Sequence, residues 1–370
     1  MNLNLKRASF TAAFRTVSGA VPTRTTKDIL KNVKLQYSGG RLTLLATDSE
    51  IGLRCDVPDV ECDRSGEALL PTSRLLSILH ELTDDTIKLE ITADAIWIRC
   101  GYSEFRLSAT DPADFPPVAA FQDSEYFTIA APTLRQLIRR TIFAADVEST
   151  RYALGGIQVD LRPDGATFCT TDSRRLAVAI GDCKAMGNAI TPQTPPVVPL
   201  RAMSLIERNL ADDKVEAHIA IHQNDIAVRI GTTTITAQLV QGRFPDWRKV
   251  VPTKFTAEIP MVVAPIYGAI RQSMIVTSED SRGVDFTFST GTLKLSSQTA
   301  DIGQSKIELP IAFDSKESMK CTFDPRYVAE FLKVLDPATS IVFKLISHED
   351  PAVLTTENYT YVVMPLSRDR

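Results

Sequence analysis

Apolar residues recur along the chain with two periods. Ile87–Ile91, Ile96–Ala109, Ile226–Leu239, Thr292–Ser297 and Tyr359–Val363 alternate with period two, the mark of strands with one buried face. Other segments place apolar residues at i, i+3, i+4 and i+7. In Arg7–Ser18 the stripe is Phe10, Ala13, Phe14 and Val17; in Pro132–Phe143 it is Leu134, Leu137, Ile138 and Ile142. That spacing predicts amphipathic helices, and Ala264–Met274 is a third of this kind. A second set opens on proline: Pro71–Leu82, Pro199–Leu210 and Pro325–Leu335. Proline suits a first helical position, where its missing N–H has no partner to lose.

The elements repeat. The proline-led helices stand 128 and 126 residues apart, ATDS at 46–49 returns as TTDS at 170–173, and ADFPPV at 113–118 returns as GRFPDW at 242–247. Each third thus holds two short helices and many strands. The expectation is three α+β domains, 1–121, 122–253 and 254–370, each with two helices packed on antiparallel sheets.

Charge changes the picture next. The chain carries −4, yet the six helical segments hold eleven Arg or Lys against three Glu, a net of +8. On α-helical faces opposite the apolar stripes lie Arg7, Thr11, Arg15 and Ser18, then Arg135, Arg139 and Arg140, then Arg201 and Arg208. A solvated face normally mixes both signs, so this sorting points to a polyanion. Arginines without a helix-turn-helix, zinc-finger or RNP signature imply phosphate contact without sequence reading.

Other chemistry is excluded or left open. There is no P-loop, G-x-G-x-x-G, H-E-x-x-H, G-x-S-x-G or EF-hand loop. The acid pairs Asp84-Asp85 and Asp212-Asp213 read either as turns beside helix ends or as metal ligands for phosphoryl chemistry. His218 and His222 read as same-face residues of a strand within Val215–Ile230 rather than zinc ligands. The six scattered cysteines form no C-x-x-C pair and read as free thiols. No cofactor, metal or catalytic activity is expected. With no membrane-length apolar run and no signal-like start, a cytoplasmic location is expected.

Specific strings carry a resemblance. TDSRRLAV (171–178), GRFPDWRKVVP (242–252), RYALGG (151–156), FRLSATDPADFPPV (105–118) and the terminal YVVMPL (361–366) resemble the bacterial beta sliding clamp, the beta subunit of DNA polymerase III. The resemblance spans the chain. It implies a head-to-tail dimer that closes into a six-domain ring, with helices lining the hole and duplex DNA threaded through it. It further implies a processivity factor that tethers the replicative polymerase, and whose other partners are the clamp loader and repair polymerases. The residues alone also admit a monomeric DNA-tethered scaffold.

Site residues follow from the same resemblance. DNA contacts map to Arg24, Tyr152, Arg74 and Arg201, beside the helical arginines Arg7, Arg15, Arg135, Arg139, Arg140 and Arg208. Arg24 also reads as an ordinary loop cation. A cleft for short linear peptides maps to Leu154, Thr171, Arg174, Arg175, Leu176, Pro245, Lys249, Val250, Val362, Met364, Pro365 and Leu366. Here Arg175 and Lys249 are expected as a polar rim around an apolar floor. Ser173, Arg174 and Leu366 depart from the residues common in the family. Subunit contact maps to Phe105 and Leu107 on one side and Ile275 and Val276 on the other, positions that read equally as core.

Overall fold

The computed structural model describes residues 1–146, 153–278, 282–299, 302–315 and 317–366. Six α-helices occur among them, two in each third: α1 (Arg7–Ser18), α2 (Thr72–Glu81), α3 (Ala131–Thr141), α4 (Leu200–Asn209), α5 (Val263–Ser273) and α6 (Pro325–Lys333). The apolar stripes are the buried faces. Phe10, Phe14 and Val17 of α1 and Leu134, Leu137 and Ile138 of α3 are within 2% of full burial. Short 3-10 turns, Ile142–Ala144 and Met274–Val276, extend α3 and α5.

Two expectations about local structure need correcting. Pro71 and Pro199 do not begin their helices; each ends a strand and occupies the cap position. Only Pro325 begins its helix, where the Asp324 carboxylate accepts from the Arg326 amide at 3.0 Å. At a strand end, as at a helix start, the absent N–H costs no ladder bond. The long alternating runs Ile96–Ala109 and Ile226–Leu239 are hairpins, broken at Gly101-Tyr102 and Gly231-Thr232. Gly101 and Gly231 turn the chain at φ +54° and +55°, conformations open to glycine.

Among the described residues the strands form four antiparallel sheets. Two of them run across domain boundaries. In the nine-stranded sheet, Thr233–Gln238 of the second third pairs with Ile51–Val57 of the first. In the eight-stranded sheet, Arg175–Gly181 of the second third pairs with Tyr359–Val363 of the third. The remaining two sheets lie at the ends of the chain's architecture. The five-stranded sheet of the first third ends on Ser103–Ser108, and the four-stranded sheet of the last third ends on Gly303–Pro310. One continuous core runs beneath the helices, with smaller apolar clusters on the other side of the sheets.

Candidate partner cleft and nucleic-acid face

The junction between the second and third domains is a strand ladder in which Leu176 faces Val362. One face of this ladder carries an apolar cluster separate from the main core. It contains Leu154, Cys169, Leu176, Val178, Phe244 and Val362, with Trp247, Val251 and Phe255 half-buried against it. Leu154, Leu176 and Val362 are thus brought together from three distant segments. Pro245 is half-buried, while Val250 and Met364 are 50% and 39% exposed. An apolar floor with an exposed flexible methionine suits an apolar peptide anchor.

The hairpin beside it is held by its own polar groups. The Thr171 hydroxyl donates to the Arg175 carbonyl at 2.6 Å, and the Asp172 carboxylate accepts from the Arg174 and Arg175 amides at 2.9 Å. Ser173 sits at φ +72°, the left-handed region, as Ser49 does at φ +85° in the first repeat. That conformation explains why glycine is the easier residue there. The turn leaves the Arg174 side chain exposed.

Arg175 corrects the expected rim. Its side chain is 9% exposed and lies on the opposite side of the ladder. There it pairs with Asp172 at 2.9 Å and with Glu330 of α6, donates to the Phe143 carbonyl at 2.7 Å, and sits 4.4 Å from the Tyr327 ring centroid. Burial disfavours its charge, but Tyr361, Glu330 and Asp172 outweigh that and hold it protonated. Lys249 does lie outside, 82% exposed and 3.1 Å from Asp246. Pro365 and Leu366 are half-buried, and the Leu366 amide donates to Thr322 at 2.7 Å. Leu366 is therefore pinned to a strand of the last domain. Phe244 and Trp247 join the floor beside Pro245 without having been expected there, since nothing in the string GRFPDW distinguishes an aromatic that lines a cleft from one in an ordinary core.

The arginines divide into two groups. Arg15, Arg24, Arg74, Arg139 and Arg208 are exposed; Arg139 is tied at 2.6 Å to Glu207 of the neighbouring α4. Arg7 is half-exposed, and its Nε donates to the Asp84 carbonyl at 2.7 Å. Arg135 is held by Asp213 at 2.8 Å and by the Leu210 carbonyl, so both acid pairs serve as turns that receive an arginine. Arg140 and Arg201 are instead tethered across domain junctions, Arg201 with its side chain still 44% exposed. Arg140 lies half-buried over the Tyr359 ring at 5.2 Å, and burial lowers its affinity for a proton. Arg201 pairs with Asp48 and reaches the Ala20 carbonyl at 3.2 Å, bridging the first and second domains. Thr11, expected on the polar face of α1, is buried at 9%. Tyr152 lies outside the described residues.

The expected subunit residues sit at the two sheet ends. Phe105 and Leu107 are half-buried on the edge strand Ser103–Ser108. Ile275 is 76% exposed and Val276 half-buried in the turn after α5. Away from these surfaces, His218 lies in the strand Glu216–Ile221 and His222 just beyond it, not in one strand as expected. His222 bridges Asp123 and Asp225 at 2.8 and 2.7 Å. All six cysteines are free. No helix among the described residues is long and apolar enough to cross a membrane.

Known proteins share both sequence and architecture with this chain. Residues 1–119, 128–246 and 248–367 match the N-terminal, central and C-terminal domains of the DNA polymerase III beta subunit. The beta sliding clamp of Chlamydia muridarum is 27% identical over 370 residues, covering 99% of each chain. That of Pseudomonas aeruginosa is 27% identical over 371 residues, covering 99% of this chain and all of the relative. The crystal structure of the Pseudomonas aeruginosa DNA polymerase III subunit beta superposes with a TM-score of 0.89 at 26% identity, over 99% of this chain and 100% of that one. The same organism's DnaN sliding clamp bound to griselimycin gives 0.89 at 27% identity, over 99% of each chain. With three consecutive domains matched in order over almost its whole length, this chain belongs to the DNA polymerase III beta subunit family, the bacterial sliding clamps.

Proposed function

We propose that two copies of this chain close head to tail around duplex DNA and tether a replicative polymerase to it, acting by topology and binding rather than by catalysis. The observation that carries the ring is a register shared by both internal junctions. Ile235 faces Leu53 in one and Tyr361 faces Ala177 in the other. Ile235 and Tyr361 are each the third residue after a hairpin turn, and Phe105 is the third residue after Gly101-Tyr102. Leu53 and Ala177 each face the sixth residue of the preceding strand, Ala46 and Thr170; Ser305 likewise faces Ser297.

The edge strands Ser103–Ser108 and Gly303–Pro310 therefore supply the two halves of a third junction. Continuing the pattern sets Phe105 opposite Ser305 of the second copy and Glu104 opposite its Lys306. It also removes two exposed strand edges, which otherwise invite uncontrolled pairing.

Exposed arginines on α1 to α4, each helix spanning about 15–18 Å, supply weak phosphate contacts that slide. The apolar cluster between the second and third domains takes short peptides from polymerases, the clamp loader and repair proteins. Sedimentation tests the closure: a mass near twice 40.7 kDa supports it, and a monomer at micromolar concentration supports the scaffold reading instead. Loaded protein should stay on closed circular DNA and leave when the circle is cut. Loss through salt alone, indifferent to cutting, refutes encirclement.

A further inference from the structure

The repeated FP segments differ in charge, and the difference falls on the cleft. Residues 111–126 and 240–255 are equal stretches about the equivalent Phe115 and Phe244. Each wraps the outer side of a cross-domain sheet, Phe115 over Leu45 and Leu69, Phe244 over Cys169 and Val197. The first holds four carboxylates and no cation, a net of −4; the second holds four cations and only Asp246, a net of +3.

These cations ring the apolar floor. Phe244, Trp247 and Phe255 belong to the cluster or pack on it, so their neighbours Arg243, Arg248 and Lys254 stand at its margin. Arg174, on the adjoining hairpin, shares a ladder bond with Met364 at 2.9 Å. Arg174, Arg243 and Lys254 are exposed, and among the described residues none of them is in an ion pair. Arg248 lies over Trp247 at 4.6 Å and is 3.6 Å from Asp160. Among the described residues, the anions of these two segments are already engaged: Asp172 by the turn amides and Arg175, Asp246 by Lys249.

The corresponding place between the first and second domains is filled. Gly52 stands where Leu176 stands in the next repeat, and a Cβ on it would meet Val118 at 2.9 Å and Thr236 at 2.7 Å. The chain's own linker covers that position, under an acidic apron.

We infer that the cleft between the second and third domains selects linear peptides whose apolar anchors are flanked by carboxylates. This rests on the cleft reading proposed above. Its cations are exposed, so they act through steering and rim contacts that salt weakens. Exposed cations around an apolar floor favour such a peptide over duplex DNA, whose bases are already stacked inside the helix and leave the floor uncovered.

Anisotropy titrations of the full chain test this with two labelled synthetic decapeptides that share one Leu and one Phe. One carries Glu and Asp flanks, the other Gln and Asn. The acidic peptide should bind about 5- to 20-fold tighter at low salt, with the ratio collapsing at high salt. Arg243→Glu with Lys254→Glu should bring the acidic peptide to the affinity of the neutral one. Equal affinities, with the neutral peptide still weakened by Met364→Ala, overturn the inference and leave the cleft standing. Absence of anchor-dependent binding overturns both. Displacement of the acidic peptide by a mixed-sequence duplex assigns the cations to DNA and also overturns the inference.

Discussion

The ring of Phe143, in the turn after α3, meets the ring of Tyr361 from the third domain with centroids 5.9 Å apart. This contact seals the junction on its helical side. The equivalent of Phe143 in the last repeat is Ile275, 76% exposed, and the equivalent of Tyr361 in the first is Phe105. Ile275→Asp is expected to weaken the dimer at least tenfold while leaving the monomer folded, since Ile275 buries little in its own domain. Sedimentation equilibrium with circular dichroism checks both halves.

In the proposed ring the same register would set Glu104 of one copy against Lys306 of the other. Both are exposed and already have partners of their own, Arg99 at 2.5 Å and Glu308 at 2.7 Å. Glu104→Lys or Lys306→Glu alone should weaken the dimer, each by about 1 kcal/mol or less. The double exchange should recover part of the loss, and a double-mutant cycle on the dimer dissociation constant measures the coupling.

Arginines on the helices should separate by what they touch. Arg15→Ala or Arg74→Ala should lower the slope of log affinity for DNA against log salt by up to about 0.9 per lost phosphate contact, without changing the melting temperature. Arg201→Ala, which loses Asp48 and the carbonyls after α1, should instead lower stability and leave the slope nearly unchanged. Matching salt slopes for all three would refute the division.

Arg175→Ala should cost about 3 kcal/mol in urea unfolding, because it strips Asp172 and Glu330 of their shared buried cation. Glu330→Gln should cost less, about 1 kcal/mol, as that carboxylate is 44% exposed. Met364→Ala should weaken an apolar-anchored peptide several-fold and spare stability.

The two histidines of the second domain should respond to pH in opposite directions. His222 presents both ring nitrogens to carboxylates, and the bonds to Asp123 and Asp225 raise its pKa. Its contribution is present in full below the usual histidine value and lost as pH rises through the raised one. His218 is lowered by burial and by Arg229, so its contribution is present above the usual value and lost as pH falls through the lowered one. Unfolding free energies of His222→Gln and His218→Gln should therefore both match the parent at high pH, where each ring is neutral, and at low pH fall below it and rise above it respectively, each by less than about 1 kcal/mol given their exposure.

Local order was legible in the residues themselves. Stripes such as Phe10, Phe14 and Val17 specify which helix face is buried whatever it packs on, and the recurring TDS and FP strings reveal three copies of one plan. Period-two alternation announced the strands, though not the turns at Gly101 and Gly231 that divide two of the runs. Three apolar cleft positions, Leu154, Leu176 and Val362, were readable through the family strings. Their joining with Phe244 and Trp247, the tethering of Arg140, Arg175 and Arg201 at domain junctions, and the common register of the two cross-domain ladders were decided by tertiary structure alone. An apolar stripe is a property of consecutive residues, and so survives in one dimension. An arginine's partner is whichever carboxylate or carbonyl the fold brings within about 3 Å, and the chain separating Arg175 from Glu330 records nothing of that distance.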